Sequence, residues 1–373
     1  MRIMQVSTVF LPGGIQRHVL DLTADLRQLG HTVILAGGRG NWGVTGDDPD
    51  FYYAPLERVA GGYHSKFGRL SAILPSVRNL RRAIKERGIE IVHAHETAPA
   101  IIAKLATVGL NIPVILTFHG SSIEREASVA KIANYCADLT VSPSHASIEA
   151  LISKGLPRDQ TRVLGLGVAH KPAPDPKAVA ALRAELLDGH DGPLILSVSR
   201  LAHQKGIDLM IEVVKRVTQK RPNVKFVVAG GGPQDGLVDG WVKSAGVEDK
   251  VTFLGPIETI PLHLAASDIF LLTSRWEALP ISIVEAFRAG LPVVATDCGG
   301  VRELVDDQVG ALLKVGDVQG TADVLIQLAD DADLRNAKGR AALSLSQQDR
   351  FDPEHVHKQF EALYADMLGH PKT

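Results

Sequence analysis

Three things are scarce or missing in this chain, and each closes off a class of protein. Cysteine occurs twice in 373 residues, at Cys136 and Cys298, without metal-ligand spacing. Two isolated thiols suit a reduced compartment and small buried hydrophobes. No run of about 18 apolar residues exists, so no membrane-spanning helix is expected. Tandem repeats and low-complexity tracts are absent as well, which leaves an ordinary globular chain. Its opening, Met1-Arg2-Ile3-Met4-Gln5-Val6, enters a strand with no signal-peptide layout, and a cytoplasmic location is expected.

Charge is nearly balanced overall, at −2, but it is unevenly placed. Residues 1–170 hold 18 Lys+Arg against 14 Asp+Glu, and the remainder 22 against 28. Between Arg58 and Arg87 stand eight basic residues (Arg58, Lys66, Arg69, Arg78, Arg81, Arg82, Lys85, Arg87) and one acidic, Glu86. Leu70, Ile73, Leu74, Val77, Leu80 and Ile84 share that stretch at helical spacing. Such a patch concerns partners rather than fold. It suits an anionic membrane surface, each cation contributing on the order of 1 kcal/mol. A solvated basic helix is the plain alternative, and nucleic acid fits poorly because aromatic interleaving and a binding motif are missing.

The length predicts about two domains. Strand and helix patterns alternate throughout, which argues for α/β layers with parallel sheets. Ile3–Thr8, Val33–Ala36, Ile89–His93, Val114–Thr117 and Leu139–Ser142 read as strands of a first sheet, with a helix over Ile15–Gly30. Prolines at 172, 174, 176 and 193 break the texture and mark an interdomain linker with a short helix. Leu194–Val198, Val224–Ala229, Val251–Phe253, Asp268–Leu272 and Pro292–Thr296 read as a second sheet, and Leu209–Lys220 as a helix beside it. A last helix covers about Glu354–Leu368.

One stretch organises the rest: Leu-Leu-Thr-Ser-Arg-Trp-Glu-Ala-Leu-Pro-Ile-Ser-Ile-Val-Glu-Ala-Phe-Arg-Ala-Gly over Leu271–Gly290. It reads as strand, loop and helix, with Pro280 in the first helical turn and Gly290 at the end. Backbone N–H groups of Ala278, Leu279 and Ile281 at a helix start favour an anion such as phosphate. Carboxylates on either side, Glu277 and Glu285, can grip vicinal hydroxyls. Phosphate between two polyols describes a nucleotide sugar. Two solvated surface glutamates would fit the same spacing.

Those residues carry a resemblance. Glu, seven residues, Glu, set in Ser-x-x-Glu-Ala-Leu-Pro, Val-Glu-Ala-Phe and Gly-Leu-Pro-Val-Val-Ala-Thr-Asp, resembles the signature of the retaining family 4 glycosyltransferases, the nucleotide-sugar-dependent group 1 enzymes. Ala278 stands where that family usually has Gly, a change that keeps the backbone N–H. The opening Gly13-Gly14-Ile-Gln-Arg-His-Val-Leu-Asp-Leu is similar to theirs, and it is not a dinucleotide fingerprint, since Gly-x-Gly-x-x-Gly is lacking after the first strand. Arg200 and Lys205, in Ser-Arg-Leu-Ala-His-Gln-Lys-Gly, match the family's cation spacing just past a strand, where open sheets bind ligands. Two cations there could neutralise a departing diphosphate as its charge rises. Gly230-Gly231-Gly232 after a strand would keep backbone beside a nucleotide, or is a plain turn. Val251–Ile257 resembles the family's base-flanking segment, with Pro256 and Ile257 facing the ring. His119 takes the position of a family histidine near the reacting sugar, whereas His93 and His95 read as hydrogen-bonded strand-end residues. Asp48-Pro49-Asp50 and Asp331-Ala332-Asp333 lie in acidic, loop-like surroundings and read as solvated charges, so no metal or other cofactor is expected.

The resemblance implies the GT-B fold: α/β, two Rossmann-like β/α/β domains facing each other across a cleft. The boundaries expected are 1–168 for the acceptor-side domain, 169–192 for the linker, 193–350 for the nucleotide-sugar domain and 351–373 for a helix crossing back. The implied activity is metal-independent, retaining hexosyl transfer from a nucleotide sugar to a sugar or lipid-linked acceptor, in cell-surface polysaccharide or glycolipid synthesis. A UDP-sugar is favoured and GDP-mannose is the competitor. Arg200, Lys205, Glu277 and His119 would act in catalysis. Gly13, Gly14, Gly232, Ile257, Ala278, Leu279, Pro280 and Glu285 would bind the donor. Peripheral contact with the inner face of the membrane would use Lys66, Arg69, Arg78, Arg81, Arg82 and Lys85. A nucleotide-sugar epimerase and a non-catalytic nucleotide- or membrane-binding protein are the rival classes.

Overall fold

A computed structural model describes residues 1–11, 13–40, 49–60 and 66–369. Contacts divide the chain into two units, Met1–Ala169 together with the stretch from Asp352, and His170–Phe351. Each is built on one parallel sheet. The first holds β1 (Arg2–Val9), β2 (Thr32–Gly38), β3 (Phe51–Tyr53), β4 (Ile91–Ala94), β5 (Val114–Thr117), β6 (Leu139–Ser142) and β7 (Thr161–Val163), in the order β3-β2-β1-β4-β5-β6-β7. The second holds β8 (Leu194–Val198), β9 (Lys225–Ala229), β10 (Val251–Gly255), β11 (Ile269–Leu272), β12 (Val293–Thr296) and β13 (Gly310–Leu313), in the order β10-β9-β8-β11-β12-β13. Strand order therefore reverses between β1 and β4 in one sheet and between β8 and β11 in the other.

Continuous burial explains the central strands. Every residue of β11 and β12 is buried, as strands covered by helices on both faces require. The sequence reading passes over β3, β7 and β13. All three are edge strands of three or four residues, part-exposed and too short to show a period. In the second unit the helix Ile207–Lys220 turns Ile207, Met210, Ile211, Val214 and Val217 onto the sheet at spacings of three and four. Each such buried side chain contributes roughly 1.5–3 kcal/mol.

The proline-rich stretch read as a linker contains a helix, Pro176–Leu187, capped by Asp175. That helix is fastened to the second unit, because Arg183 donates to Asp268 and to the Ala266 carbonyl, both at 2.7 Å. The last helix, Pro353–Gly369, packs in the first unit. Val356, Phe360 and Tyr364, four residues apart, join Ile3, Leu22 and Leu26 in one core cluster. Its outer edges are held by Glu361 on His31 at 2.7 Å and by a His357–Asp25 contact.

The basic segment forms the helices Leu56–Ala60 and Lys66–Arg87. The side chains of Lys66 and Arg69 lie outside the described residues. Several of the other cations are engaged within the unit. Arg81 donates to the Ala106 and Val108 carbonyls at 2.8 Å, Arg82 pairs with Glu86 at 2.7 Å, and Arg87 reaches Tyr52 at 2.9 Å and Asp50 at 3.4 Å. Arg78 and Lys85 are exposed and make no ion pair among the described residues. The outward charge is thus smaller than the residue count suggests. No helix among the described residues is long and apolar enough to cross a membrane.

Candidate active site

Where strand order reverses in an open parallel sheet, a crevice opens beyond the carboxyl ends of the strands. In the second unit that point lies between β8 and β11, and two connections meet there. After β8 the chain passes Arg200, makes a 3₁₀ turn over His203–Lys205 and enters the helix at Ile207. After β11 it runs through 273–280 into the helix Ile281–Arg288.

Hydrogen bonds knit the two connections together. Thr273 donates from Oγ1 to the Lys205 and Gly206 carbonyls at 3.1 Å. Arg275 N–H donates to the Gln204 carbonyl at 2.7 Å, and Gln204 Nε2 returns a bond to the Trp276 carbonyl at 3.0 Å. The Arg275 guanidinium forks onto Asp208 at 2.6 and 2.8 Å and holds its carboxyl below the usual range. From a third side comes Gly299, at φ +52, where a β-carbon would lie 1.8 Å from the Glu277 carbonyl oxygen. Only glycine lets the chain after β12 close against Glu277.

This framework brings Lys205 and Glu277 into contact with each other. The sequence reading sets them on different parts of a donor, the cation on phosphate and the carboxylate on sugar. In the fold they form an ion pair whose side chains are 16% and 7% exposed. Glu277 Oε1 accepts from both Lys205 Nζ and Ser274 Oγ, the latter at 2.6 Å. Its Oε2 has no partner among the described residues. The next two backbone N–H groups, of Ala278 and Leu279, also lack an acceptor there. Pro280 is extended, at ψ 116, so the helix starts one residue later than the sequence suggests; it has no side-chain cap and no acidic residue in its first turn. Glu285 is half-buried within that helix.

Arg200 is exposed and makes no ion pair among the described residues. The glycine turn after β9 lies directly on its loop. A β-carbon at Gly232 would stand 2.5 Å from the Leu201 carbonyl oxygen and 3.0 Å from Arg200 Cγ. The turn thus supports Arg200. Gly231 meets Pro256, whose neighbour Ile257 is half-buried just beyond β10. Cys298 is buried, and desolvation with the nearby Glu277 carboxylate pushes its thiol up to about 12. It stays protonated at neutral pH and acts as a small hydrophobe, whereas Cys136 is only half-buried.

In the first unit, Gly13 precedes the helix Gly14–Gln28 and offers no side-chain cap. His93 lies near the end of β4, His95 directly follows that strand, and His119 follows β5. His93 is bonded through Nδ1 to Tyr364 at 2.7 Å and through Nε2 to Thr117 at 2.6 Å, and His95 Nε2 meets Gln5 at 2.7 Å. They are satisfied core histidines, as their strand-end spacing suggests. Burial pulls His93 down to about 3, His119 to about 4 and His95 well below its ordinary value, so all three are neutral at pH 7. Of the Asp-x-Asp pairs, Asp331 caps the helix Ala332–Leu345 through Leu334 N–H at 2.8 Å. Asp50 faces Arg27 and Arg87, and Asp48 lies outside the described residues. Both Asp50 and Asp331 are therefore structural partners and not merely solvated charges. Among the described residues no His, Cys, Asp and Glu group could hold a metal ion.

Four residues escape the sequence reading: Ser274, Gly299, Gln5 and Tyr364. Gln5 had a legible signal, a lone polar side chain inside the apolar run Ile3–Val6. Gly299 and Tyr364 depend on partners distant in sequence, and Ser274 matters through a bond to Glu277 three residues on that only the folded loop shows.

Comparison with known proteins follows the same division. A family model described as Glycosyl transferases group 1 matches residues 179–344, and one described as Glycosyltransferase Family 4 matches residues 12–171. A phosphatidylinositol N-acetylglucosaminyltransferase subunit of Arabidopsis thaliana is 28% identical over 377 residues, 98% of this chain and 79% of that protein. A GDP-mannose-dependent alpha-(1-6)-phosphatidylinositol monomannoside mannosyltransferase of Mycobacterium tuberculosis is 30% identical over 279 residues, 70% of this chain and 72% of its own length. In fold, the chain is similar to Anabaena HepE, crystallised with UDP and glucose, with a TM-score of 0.81 at 22% identity over 98% of this chain and 100% of that one.

Proposed function

Because this chain belongs to the family 4 glycosyltransferases, with GT-B architecture, we propose that it transfers a hexose with retained configuration from a nucleoside diphosphate donor bound by the second unit. One observation carries the reading. At the β8/β11 switch point an open carboxylate oxygen of Glu277 adjoins two unpartnered N–H groups, of Ala278 and Leu279, beside the Lys205 ammonium, with Arg200 exposed on the same β8 connection. Acceptors for hydroxyls next to donors for phosphate match a sugar joined to a diphosphate.

In this reading Glu277 Oε2 takes donor-sugar hydroxyls and Glu285 the ribose hydroxyls. The Ala278 and Leu279 amides, with Arg200 and Lys205, hold the diphosphate, aided by the Gly14 N–H. Ile257 and Gly232 flank the nucleoside, and His119 orients the sugar. Negative charge grows on the leaving phosphate as the glycosidic bond breaks, so Arg200 and Lys205 bind the transition state more tightly than the ground state. The leaving phosphate takes the acceptor's proton on the same face. Glu277 is a poor covalent nucleophile, since Lys205 and Ser274 draw on its Oε1. An inverted anomeric centre in the product would overturn the retaining route.

A UDP-sugar is the favoured donor and GDP-mannose the alternative. In a thermal-shift screen of UDP, GDP and ADP sugars, one base should raise the unfolding midpoint. At a ligand concentration 100 times its Kd the gain is ~2.7 kcal/mol. No response to any of them would remove the proposal. A lipid-linked or glycan acceptor fits two relatives named for phosphatidylinositol glycosylation. Among the described residues, membrane contact would then draw first on Arg78 and Lys85, at about 1 kcal/mol each. Vesicles with anionic lipid should recruit the protein weakly at low salt, and an absence of recruitment would confine the acceptor to solution.

A further inference from the structure

The buried histidines of the first unit form a directed chain of hydrogen bonds. Gln5 occupies its centre, fully buried on β1. Gln5 Nε2 donates to the Tyr364 hydroxyl at 3.3 Å, and its Oε1 lies 2.7 Å from His95 Nε2. An amide oxygen can only accept, so His95 carries its proton on Nε2. His95 Nδ1 is then a bare lone pair. It lies 3.4 Å from His119 Nε2, and two facing lone pairs would repel. His119 must therefore carry its proton on Nε2 and donate it to His95. Tyr364, accepting from Gln5, is left to donate its own proton to His93 Nδ1 at 2.7 Å. His93 Nε2–H in turn donates to Thr117 at 2.6 Å. Every link has one donor and one acceptor.

We propose that Gln5, anchored by Tyr364 of the C-terminal helix, sets the tautomer of His119 through His95, so that His119 offers Nδ1 as a neutral acceptor to a hydroxyl of the transferred sugar. Nδ1 of His119 has no partner among the described residues. His18 packs its ring 5.6 Å from both His95 and His119, which holds the imidazoles in place without a competing hydrogen bond. The neutral state of the chain follows from its burial, which keeps these rings uncharged at pH 7. A neutral acceptor discriminates differently from an imidazolium. It receives a hydroxyl proton and adds no positive charge beside a sugar that becomes cationic in the transition state. Gln5 and Tyr364 are positioning residues in this scheme, since neither need touch substrate.

The proposal rests on the placement of His119 near the donor sugar, and the test separates the two. Long-range 1H–15N correlation spectra of the full chain, labelled at histidine and assigned with His119→Gln, report each ring's tautomer without substrate. The free protein should show His119 as a single Nε2–H form. Gln5→Met, which keeps the bulk and removes the directing amide, should give a mixture of forms. Gln5→Glu, whose carboxylate still accepts from His95, should restore the single form. If Gln5→Met fails to fold, Tyr364→Phe serves instead, because it releases the anchored end of the amide and should also mix the forms. An Nδ1–H form in the wild-type protein overturns the proposal, as does an Nε2–H form that survives both substitutions. UDP-glucose or GDP-mannose, but not UDP or GDP, should then move the Nδ1 resonance. A fixed tautomer with no response to either sugar nucleotide would leave the relay standing and sink the placement of His119 near the sugar.

Discussion

Lys205→Met should lower the unfolding midpoint by on the order of 10 °C and abolish most turnover, whereas Lys205→Met with Glu277→Leu should recover the midpoint and not the turnover. The reason is the ion pair between two side chains that are 16% and 7% exposed. Removing one member of a buried pair strands the other charge, at a cost of ~3–5 kcal/mol, or roughly 2–4 °C for each kcal/mol in a unit of this size. Replacing both members by apolar groups leaves no uncompensated charge and is often neutral. Under the proposed function catalysis has no such remedy, because the ammonium assigned to the diphosphate and the carboxylate assigned to the sugar are then both gone. Calorimetry and donor consumption, measured on the same samples, separate the two effects. If the double variant regained turnover, the pair would be a structural brace and its role in donor binding would be wrong.

Arg200→Ala should show the opposite profile. Its guanidinium is exposed and makes no ion pair among the described residues, so the midpoint should move by no more than the ~0.5 kcal/mol typical of such surface changes. Turnover should fall by about 10²–10³, equivalent to ~2.7–4 kcal/mol of lost transition-state stabilisation. Arg200→Lys should recover only part of that, since an ammonium keeps the charge and loses the planar fork. Turnover within about threefold of wild type in Arg200→Ala would remove Arg200 from the site. The same variant tests the non-catalytic rival, a protein with no turnover to lose. An epimerase would be identified by product formation without an acceptor.

Much of this protein was legible before any coordinates. Parallel sheets follow from apolar strands alternating with amphipathic helices, and both signals are local, carried by residues two to four positions apart. The loop and helix of the proposed donor motif were legible for a similar reason: Glu277, Pro280 and Glu285 are close along the chain and can be read in one window. Arg200 and Lys205 stood out as candidates because they follow a strand at the end of an open sheet where ligands generally bind.

Tertiary structure decided which of those groups meet. Lys205 and Glu277 are 72 residues apart, and nothing local pairs them; adjacency of β8 and β11 at the strand-order reversal does. Gly299 is an ordinary Gly-Gly position in the sequence, and only the approach of the Glu277 carbonyl shows why no larger residue fits. The basic helix reads as an outward-facing charge patch until Arg81 and Arg87 are seen bonded to neighbouring elements. Gln5 reads as a lone polar side chain in an apolar strand until the C-terminal helix brings Tyr364 to it, 359 residues away. Propensity and period act over a few residues and are written in order along the chain. Hydrogen-bond direction, charge pairing and close backbone approach depend on distance in space, which the fold alone supplies.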